Sequence, residues 1–370
     1  MPSDLIKPQR FYPPPLHHAR TSRVSSALPI PFAQVSPGKY TVIYPPTIDY
    51  DYMKQRPQHL MDQFAADGHR VYYLNRWERP APPQEVRPNL FVVHSAGHID
   101  HLPRSRPVVL WMSWAETSNW IDRIRPDISI YDCLDDFPQF APAEWQIVPR
   151  VNLVTATSDA LFRKMRDQHR NVILVPNACE YERFSDLSSV EAPPDWPPID
   201  PNQSVVGYVG ALGAWIDSDL IARIGERYEM VLVGPLLGHR RIQHPRIHYL
   251  GMRPYEQLPA YLKRMDVLTI PFSDIPLTRA TNPIKMYEYL ATGKPVVSTA
   301  IPEAERMALV KVGHSHEEFV QHIARAIAGE DENEAAAAAR QTIARENSWA
   351  LRYEQIRDAI DAVWQEKNRR

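Results

Sequence analysis

The chain has 370 residues, 44% hydrophobic and 23% charged, which is the composition of a folded protein with room for two domains of about 150 residues each. A net charge of −2 and an isoelectric point near 6.7 leave no basic footprint for nucleic acid, and no apolar run reaches the roughly 18 residues of a membrane span. Two cysteines, Cys133 and Cys179, are too few for a disulfide framework; with no signal-peptide core in view they imply reduced thiols and a cytoplasmic setting.

Residues 1–38 are proline-rich without apolar periodicity and read as an extended arm. Its Arg10–Pro15 stretch is either a docking segment or plain leader. Tyr40–Tyr44 then predicts a strand, Pro45–Tyr52 a loop, Arg56–Ala66 a helix with Leu60, Met61 and Phe64 inward, and Val71–Leu74 a second strand. Strand, helix, strand is the repeat of an open parallel sheet, whose ligands sit beyond the strand ends. Lys54, Gln55 and Arg56 fall there, at a cleft rim or at a solvated helix start. Arg79–Pro88 reads as a proline-rich loop. Further strands are predicted at Leu90–Val93, Val108–Met112, Ile128–Cys133, Leu153–Ala156 and Val172–Val175, with a helix over Ser158–Gln168.

Asp132, Asp135 and Asp136 close the Ile128 strand. Carboxylates crowded at a strand end need a cation or hydroxyl groups nearby, or else serve as a helix N-cap. No His or Asp spacing completes a metal site around them. His94, Trp111 and Trp114 lie on neighbouring strand ends, where aromatic rings stack on sugars or pack the core. Glu191–Gln203 carries five prolines and reads as the linker between a domain over residues 39–190 and one over residues 204–346.

The second domain starts with a glycine-ended strand at Val205–Gly210. It runs into Ala211, Leu212 and Gly213, and the backbone N–H groups of Gly210–Gly213 can approach a diphosphate. Asp217 and Asp219 read as helix caps. Strands are predicted at Met230–Pro235, Ile247–Gly251 and Val267–Phe272, each ending in Gly or Pro, with Arg253 after the second. Ala280–Thr299 then writes a loop, a helix and a strand. Thr281 or Asn282 caps the helix, Pro283 suits its first turn, and Gly293 and Pro295 stop it. Lys285 stands in the first turn, where the helix end favours an anion. Glu288 lies one turn on, in an apolar helix where a carboxylate needs donors, such as ribose hydroxyls or an internal partner. Ser315 and Glu318 form a capping box before a helix with Phe319, Val320, Ile323 and Ile327 inward. Residues 347–370 form a last helix led by Trp349.

The run from Asn282 to Val297 resembles the donor-binding segment of retaining GT-B glycosyltransferases of the family 4-like kind, which build bacterial capsule, exopolysaccharide and teichuronic acid. The resemblance spans about residues 40–365. It implies two facing Rossmann-like domains with parallel sheets, the first for the acceptor, and a last helix crossing back onto the first domain. The implied reaction moves a sugar from a nucleoside-diphosphate sugar to a glycan or lipid-linked acceptor with retention, no cofactor and no metal. It would take place in the cytoplasm, with peripheral contact at the inner membrane face. By resemblance Gly210–Gly213, Thr281, Asn282 and Lys285 hold the diphosphate, Arg253 meets phosphate or base, and Glu288 meets the ribose. Asp132 and Asp135 occupy the first-domain position near the reacting carbon, and Asp135 is expected to orient sugar or acceptor hydroxyls. The family's first donor glutamate would fall at residue 280, which is Ala280. That departure leaves open a nucleotide-sugar-binding protein without catalysis, and a GT-B epimerase stands as a further alternative.

Overall fold

The computed structural model describes residues 39–330 and 332–369; the proline-rich arm and its Arg10–Pro15 stretch lie outside them. The elements run β1 (Thr41–Tyr44), α1 (Arg56–Ala66), β2 (Arg70–Leu74), β3 (Gln84–Arg87), β4 (Leu90–Val93), β5 (Val108–Met112), α2 (Trp120–Ile124), β6 (Ile128–Cys133), α3 (Ala141–Ile147), β7 (Leu153–Ala156), α4 (Asp159–Arg166) and β8 (Val172–Leu174). They continue with α5 (Tyr181–Ser185), β9 (Val205–Val209), α6 (Ser218–Gly225), β10 (Glu229–Val233), β11 (Ile247–Gly251), α7 (Leu258–Lys263), β12 (Val267–Ile270), α8 (Pro276–Ala280), α9 (Ile284–Ala291), β13 (Val296–Thr299), α10 (Pro302–Glu305), β14 (Val310–Gly313), α11 (His316–Ile327), α12 (Glu334–Arg345) and α13 (Trp349–Arg369). No helix among the described residues is long and apolar enough to cross a membrane.

The chain forms two compact units, each around its own sheet. The first holds the described residues up to Cys179, the segment Arg279–Ile284 and the chain from Glu346 on; the second holds Glu180–Thr278 and Lys285–Arg345.

In the first unit the strand order is β3-β4-β2-β1-β5-β6-β7-β8. β1, β2, β4, β5, β6 and β7 are buried throughout and pair in parallel, as runs such as Val-Val-Leu-Trp-Met in β5 require when both faces are covered. β3 departs from expectation. It is an antiparallel edge strand inside the stretch read as a loop, and all four of its residues are exposed, so it carries no apolar alternation. The last helix is part of this unit. Trp349 stacks on His59 at 4.7 Å, Tyr353 packs edge-on to Phe64 at 5.0 Å, and the Tyr353 hydroxyl donates to Asp67 at 2.5 Å. Cys133 and Cys179 are free and buried.

The second unit has the order β11-β10-β9-β12-β13-β14, all parallel. The winding reverses between β9 and β12, the arrangement of a dinucleotide-type α/β sheet. The proline-rich stretch at residues 191–203 is not where the units part; the division falls at Cys179 and Glu180. The reason is local bonding to α7. Lys263 Nζ donates to the carbonyls of Ser188 (2.9 Å) and Val190 (2.6 Å), and Asp195 accepts from Tyr261 at 2.5 Å.

Candidate functional site

In a doubly wound sheet the crevice opens beyond the carboxyl ends of the two strands at the reversal. Here those are β9, which runs into Gly210–Gly213, and β12, which runs into Pro271 and Phe272. Helix α9 is docked there by Tyr289. Its hydroxyl accepts from the Val209 N–H at 2.7 Å and donates to the Val209 carbonyl at 3.2 Å. Lys285 stands one turn earlier. Its Nζ is 5.3 Å from the centre of the Tyr208 ring and 5.2 Å from that of Phe272. The close approach depends on glycine. A Cβ on Gly210, whose φ is +148°, would come within 2.6 Å of Lys285 Cε, and one on Gly234 (φ +152°) would come within 1.9 Å of the Gly210 carbonyl oxygen.

The loop backbone narrows the expected cradle. The Gly210 N–H donates to Val233 O (2.8 Å) and the Leu212 N–H to Pro235 O (2.9 Å), which ties the loop to the segment after β10. The Tyr208 hydroxyl holds the Ala211 carbonyl at 2.9 Å. That commits two of the four expected amides to the fold; among the described residues the N–H groups of Ala211 and Gly213 donate to no backbone carbonyl.

Glu288 is buried in the interior of α9. Burial pushes its carboxyl up to about 7, against the opposing pull of the nearby Tyr255 and the charge of Lys285; Glu180 adds to the rise and Arg183 opposes it. Arg183 lies over the Tyr255 ring at 5.2 Å and pairs with Glu180 at 2.7 Å, so this corner of the unit alternates charge around the carboxylate. A carboxylate poised near neutrality can accept from hydroxyl donors once a ligand brings them.

Arg253 is placed differently from expectation. Its Nε donates to Asp195 (3.0 Å) and to the Tyr261 hydroxyl (2.8 Å), and Nη1 donates to the Met252 carbonyl (2.8 Å). The guanidinium is thus engaged by a linker carboxylate and a tyrosine of its own unit. Asp217 caps α6 through the Leu220 N–H at 2.9 Å, as expected, and also meets His316 at 2.8 Å.

In the first unit the three carboxylates at the end of β6 diverge. Asp132 is fully buried, and Arg56 Nε donates to both of its oxygens at 3.1 and 3.0 Å. Thr155 Oγ1 and Trp111 Nε1 donate to it as well, at 2.5 and 3.3 Å. So Asp132 does not face a substrate; it is the counter-ion of a buried arginine. Arg56 correspondingly leaves the cleft rim where the sequence put it, while Lys54 pairs with Asp62 at 2.8 Å and the Gln55 N–H is capped by Gln58 at 3.1 Å. Asp136 accepts from Lys164 at 2.7 Å. Asp135 accepts from Thr281 Oγ1 at 3.3 Å. Thr281 and Asn282 belong to this unit, where Asn282 Oδ1 accepts from the Asn177 N–H at 2.9 Å. His94 is buried, and Trp114 packs on Phe140 at 5.6 Å with the Arg76 guanidinium 5.0 Å over its ring. No group of three or more His, Cys, Asp or Glu among the described residues could hold a metal ion.

The second unit thus gathers Gly210–Gly213, Lys285 and Glu288, and the first gathers Asp135, Thr281 and Asn282. Sequence reasoning missed Tyr208, Phe272 and Tyr289. Their only signal was an aromatic ring at, or one helical turn behind, a strand end at the reversal.

Residues 204–329 match the family model described as Glycosyl transferases group 1. Over 233 residues the chain is 26% identical to the putative teichuronic acid biosynthesis glycosyltransferase TuaH of Bacillus subtilis (strain 168), covering 58% of each protein. The chain therefore spans little more than half the length of that curated relative. Among solved structures, sucrose-phosphate synthase from Thermosynechococcus elongatus superposes with a TM-score of 0.69 at 13% identity, over 89% of this chain and 100% of that one. Anabaena Alr3699/HepE in complex with UDP superposes with a TM-score of 0.61 at 14% identity, over 87% of this chain and 100% of that one. At such identities the likeness shows the fold, and the fold is the one expected: two Rossmann-like α/β units with parallel sheets.

Proposed function

We propose that this chain, which carries a Glycosyl transferases group 1 domain over residues 204–329 in a GT-B fold, moves a sugar from a nucleoside diphosphate to an acceptor hydroxyl. The observation that carries the reading is Lys285, a cation in the first turn of a helix, held between two aromatic rings where the second sheet reverses. A cation at a helix N-terminus is poorly placed by itself, and a diphosphate reverses that balance. In this reading the diphosphate meets Lys285 and the N–H groups of Ala211 and Gly213, and the ribose hydroxyls donate to Glu288. The bond from the anomeric carbon to the diphosphate oxygen breaks, the acceptor oxygen bonds to that carbon, and the hydroxyl proton leaves with the diphosphate. Lys285 and the backbone dipoles offset the charge that develops on the leaving group, without a metal. Asp135 orients sugar or acceptor hydroxyls.

HepE was solved with UDP and with UDP-glucose, which makes UDP the first nucleotide to test here. The curated relative, a putative teichuronic acid biosynthesis glycosyltransferase, supports a bacterial surface glycan as product. A lipid-linked acceptor and a place at the inner membrane face rest on the family resemblance. Retention of configuration rests on the family resemblance alone.

One observation favours a second reading, a nucleotide-sugar-binding protein without turnover. Ala280 is buried with the core of the first unit, and its carbonyl accepts from Ser158 Oγ at 2.6 Å, so position 280 offers a sugar no carboxylate. Thermal unfolding with UDP, GDP, dTDP, ADP and their sugars tests the site. A ligand at a hundredfold its dissociation constant adds about 2.7 kcal/mol of stability. No shift with any of them removes the donor-site reading. A shift with no sugar transfer across a panel of glycan and lipid-linked acceptors selects the second reading.

A further inference from the structure

Trp215 stands on the loop between β9 and α6, within the second unit, and its indole is half-buried. The six-membered ring rests against Gly213. A Cβ built there would come within 2.5 Å of Cη2 and 2.8 Å of Cε3, so only glycine admits the ring so close to the backbone. The main chain around the indole is fixed. The Ile216 N–H donates to the Gly213 carbonyl at 3.1 Å and closes a turn under the ring. The Ser273 N–H donates to the Trp215 carbonyl at 2.8 Å, and the Asp217 N–H donates to the Pro271 carbonyl at 2.9 Å, which straps the loop to the exit of β12. Asp217 is held further by its cap on α6 and by His316. A large aromatic side chain is thus left partly exposed on a rigid loop, against a residue whose N–H donates to no backbone carbonyl among the described residues. That combination offers a ligand a preformed apolar surface beside a polar contact.

We propose that Trp215 is the platform on which the ring of the donor sugar stacks, with a C–H face of the pyranose against the indole. The inference rests on the donor-site reading and deepens it. In that reading the diphosphate meets Lys285 and the N–H groups of Ala211 and Gly213, and the ribose meets Glu288. Glu288 lies near Tyr255, which follows β11, whereas Trp215 is strapped to the exit of β12. β11 and β12 stand on opposite sides of β9 in the sheet. A diphosphate centred on the β9 loop with its ribose end toward Tyr255 therefore has its sugar end toward the indole. Stacking there is a dispersive contact with the sugar ring, so it adds affinity for the sugar and leaves the contacts of the nucleotide alone.

Calorimetry on the full chain tests this with UDP, GDP, dTDP and ADP, and then with the glucose conjugate of whichever binds most tightly, in wild type, Trp215→Leu and Trp215→Phe. Trp215→Leu binds the glucose conjugate about fivefold more weakly, while its affinity for the free diphosphate changes by less than about twofold. Trp215→Phe, which keeps a ring, recovers most of the difference. Equal losses for the conjugate and the free diphosphate show that the indole only shapes the loop, and overturn the proposal; so does an unchanged ratio of the two affinities. A second measurement does not depend on Trp215→Leu folding. In protein labelled with 5-fluorotryptophan, the Trp215 fluorine resonance, assigned by its loss in Trp215→Phe, moves further with the glucose conjugate than with the free diphosphate. The same position with both ligands overturns the proposal. If wild type binds none of the four diphosphates, the donor-site reading falls and the platform falls with it. If one binds and Lys285→Ala weakens it, but the ratio in Trp215→Leu is that of wild type, the donor site stands and Trp215 is removed from it.

Discussion

Lys285 Nζ lies 5.2 Å from the centre of the Phe272 ring, with the Tyr208 ring 5.3 Å from the same atom, at the reversal of the second sheet. The attraction of a cation for aromatic faces offsets part of what the helix N-terminus withholds from it. A diphosphate adds charge-assisted hydrogen bonds there, worth about 1.5–3 kcal/mol for such a contact. Lys285→Ala is therefore expected to weaken UDP by roughly 10- to 100-fold. Uridine, which lacks the phosphates, should lose less than about twofold, since it forgoes only the charge-assisted term. Calorimetric titration of both compounds checks this, and equal losses for the two would place the lysine elsewhere than on the diphosphate.

Glu288 makes nucleotide binding depend on pH. With its carboxyl pushed up to about 7 by burial, the group is largely protonated at pH 6 and largely ionised at pH 8 in the free protein. Ribose hydroxyls need an acceptor, so the ionised form binds. UDP-glucose, whose diphosphate does not titrate in this range, should bind about tenfold more tightly at pH 8 than at pH 6. Glu288→Gln should bind more weakly and flatten the profile. A wild-type profile already flat between these values refutes the assignment of Glu288 to the ribose.

The same carboxyl carries a stability signature. A group whose folded value lies above its unfolded value stabilises the fold at pH below the unfolded value, and that contribution is lost as pH rises through the folded one. For Glu288 the window runs from the ordinary 4.5 to about 7. In the absence of nucleotide, the stability of wild type relative to Glu288→Gln should fall by roughly 3 kcal/mol between pH 4.5 and pH 8. Urea unfolding of both proteins across that range measures it. A constant difference shows that the carboxyl is not shifted.

Most of the strand and helix framework was legible in the sequence because it is written in short apolar runs closed by glycine or proline. Ile128–Cys133, Val108–Met112 and Arg56–Ala66 fall where the pattern puts them. β3 was not legible, because an exposed edge strand of Gln, Glu, Val and Arg carries no burial signal. The helix of Lys285 and Glu288 stands out as a candidate site because a first-turn lysine and a buried glutamate contradict local preference. What local pattern could not supply were partners distant along the chain. By local pattern Asp132 resembles its neighbour Asp135, but its partner Arg56 is 76 residues away; Arg253 likewise pairs with Asp195, 58 residues away. Nor does any local feature show that residues 279–284 fold with the first unit.

The Arg56–Asp132 pair predicts loss of fold rather than loss of chemistry. Both side chains are buried, and removing one partner strands a charge in the interior, which costs about 3–5 kcal/mol. Asp132→Ala should lower the urea midpoint correspondingly. The double variant Arg56→Met with Asp132→Leu should recover part of the loss, because no charge is then left unpaired. If Asp132→Asn keeps wild-type stability yet abolishes turnover, the aspartate acts on substrate and the buried pairing is secondary.

Arg253 gives the converse case. Its guanidinium is spent on Asp195 and Tyr261, and this pair is partly open to solvent, so breaking it should cost no more than about 1 kcal/mol. Arg253→Ala should accordingly leave UDP affinity within about twofold of wild type, as expected for a side chain that makes no contact with the nucleotide. Its effect should fall on the attachment of the proline-rich stretch to α7, with faster amide exchange or proteolysis in residues 191–203. A tenfold loss of UDP affinity with that stretch still protected would return Arg253 to the donor site, and would mean that Asp195 yields the guanidinium when nucleotide binds.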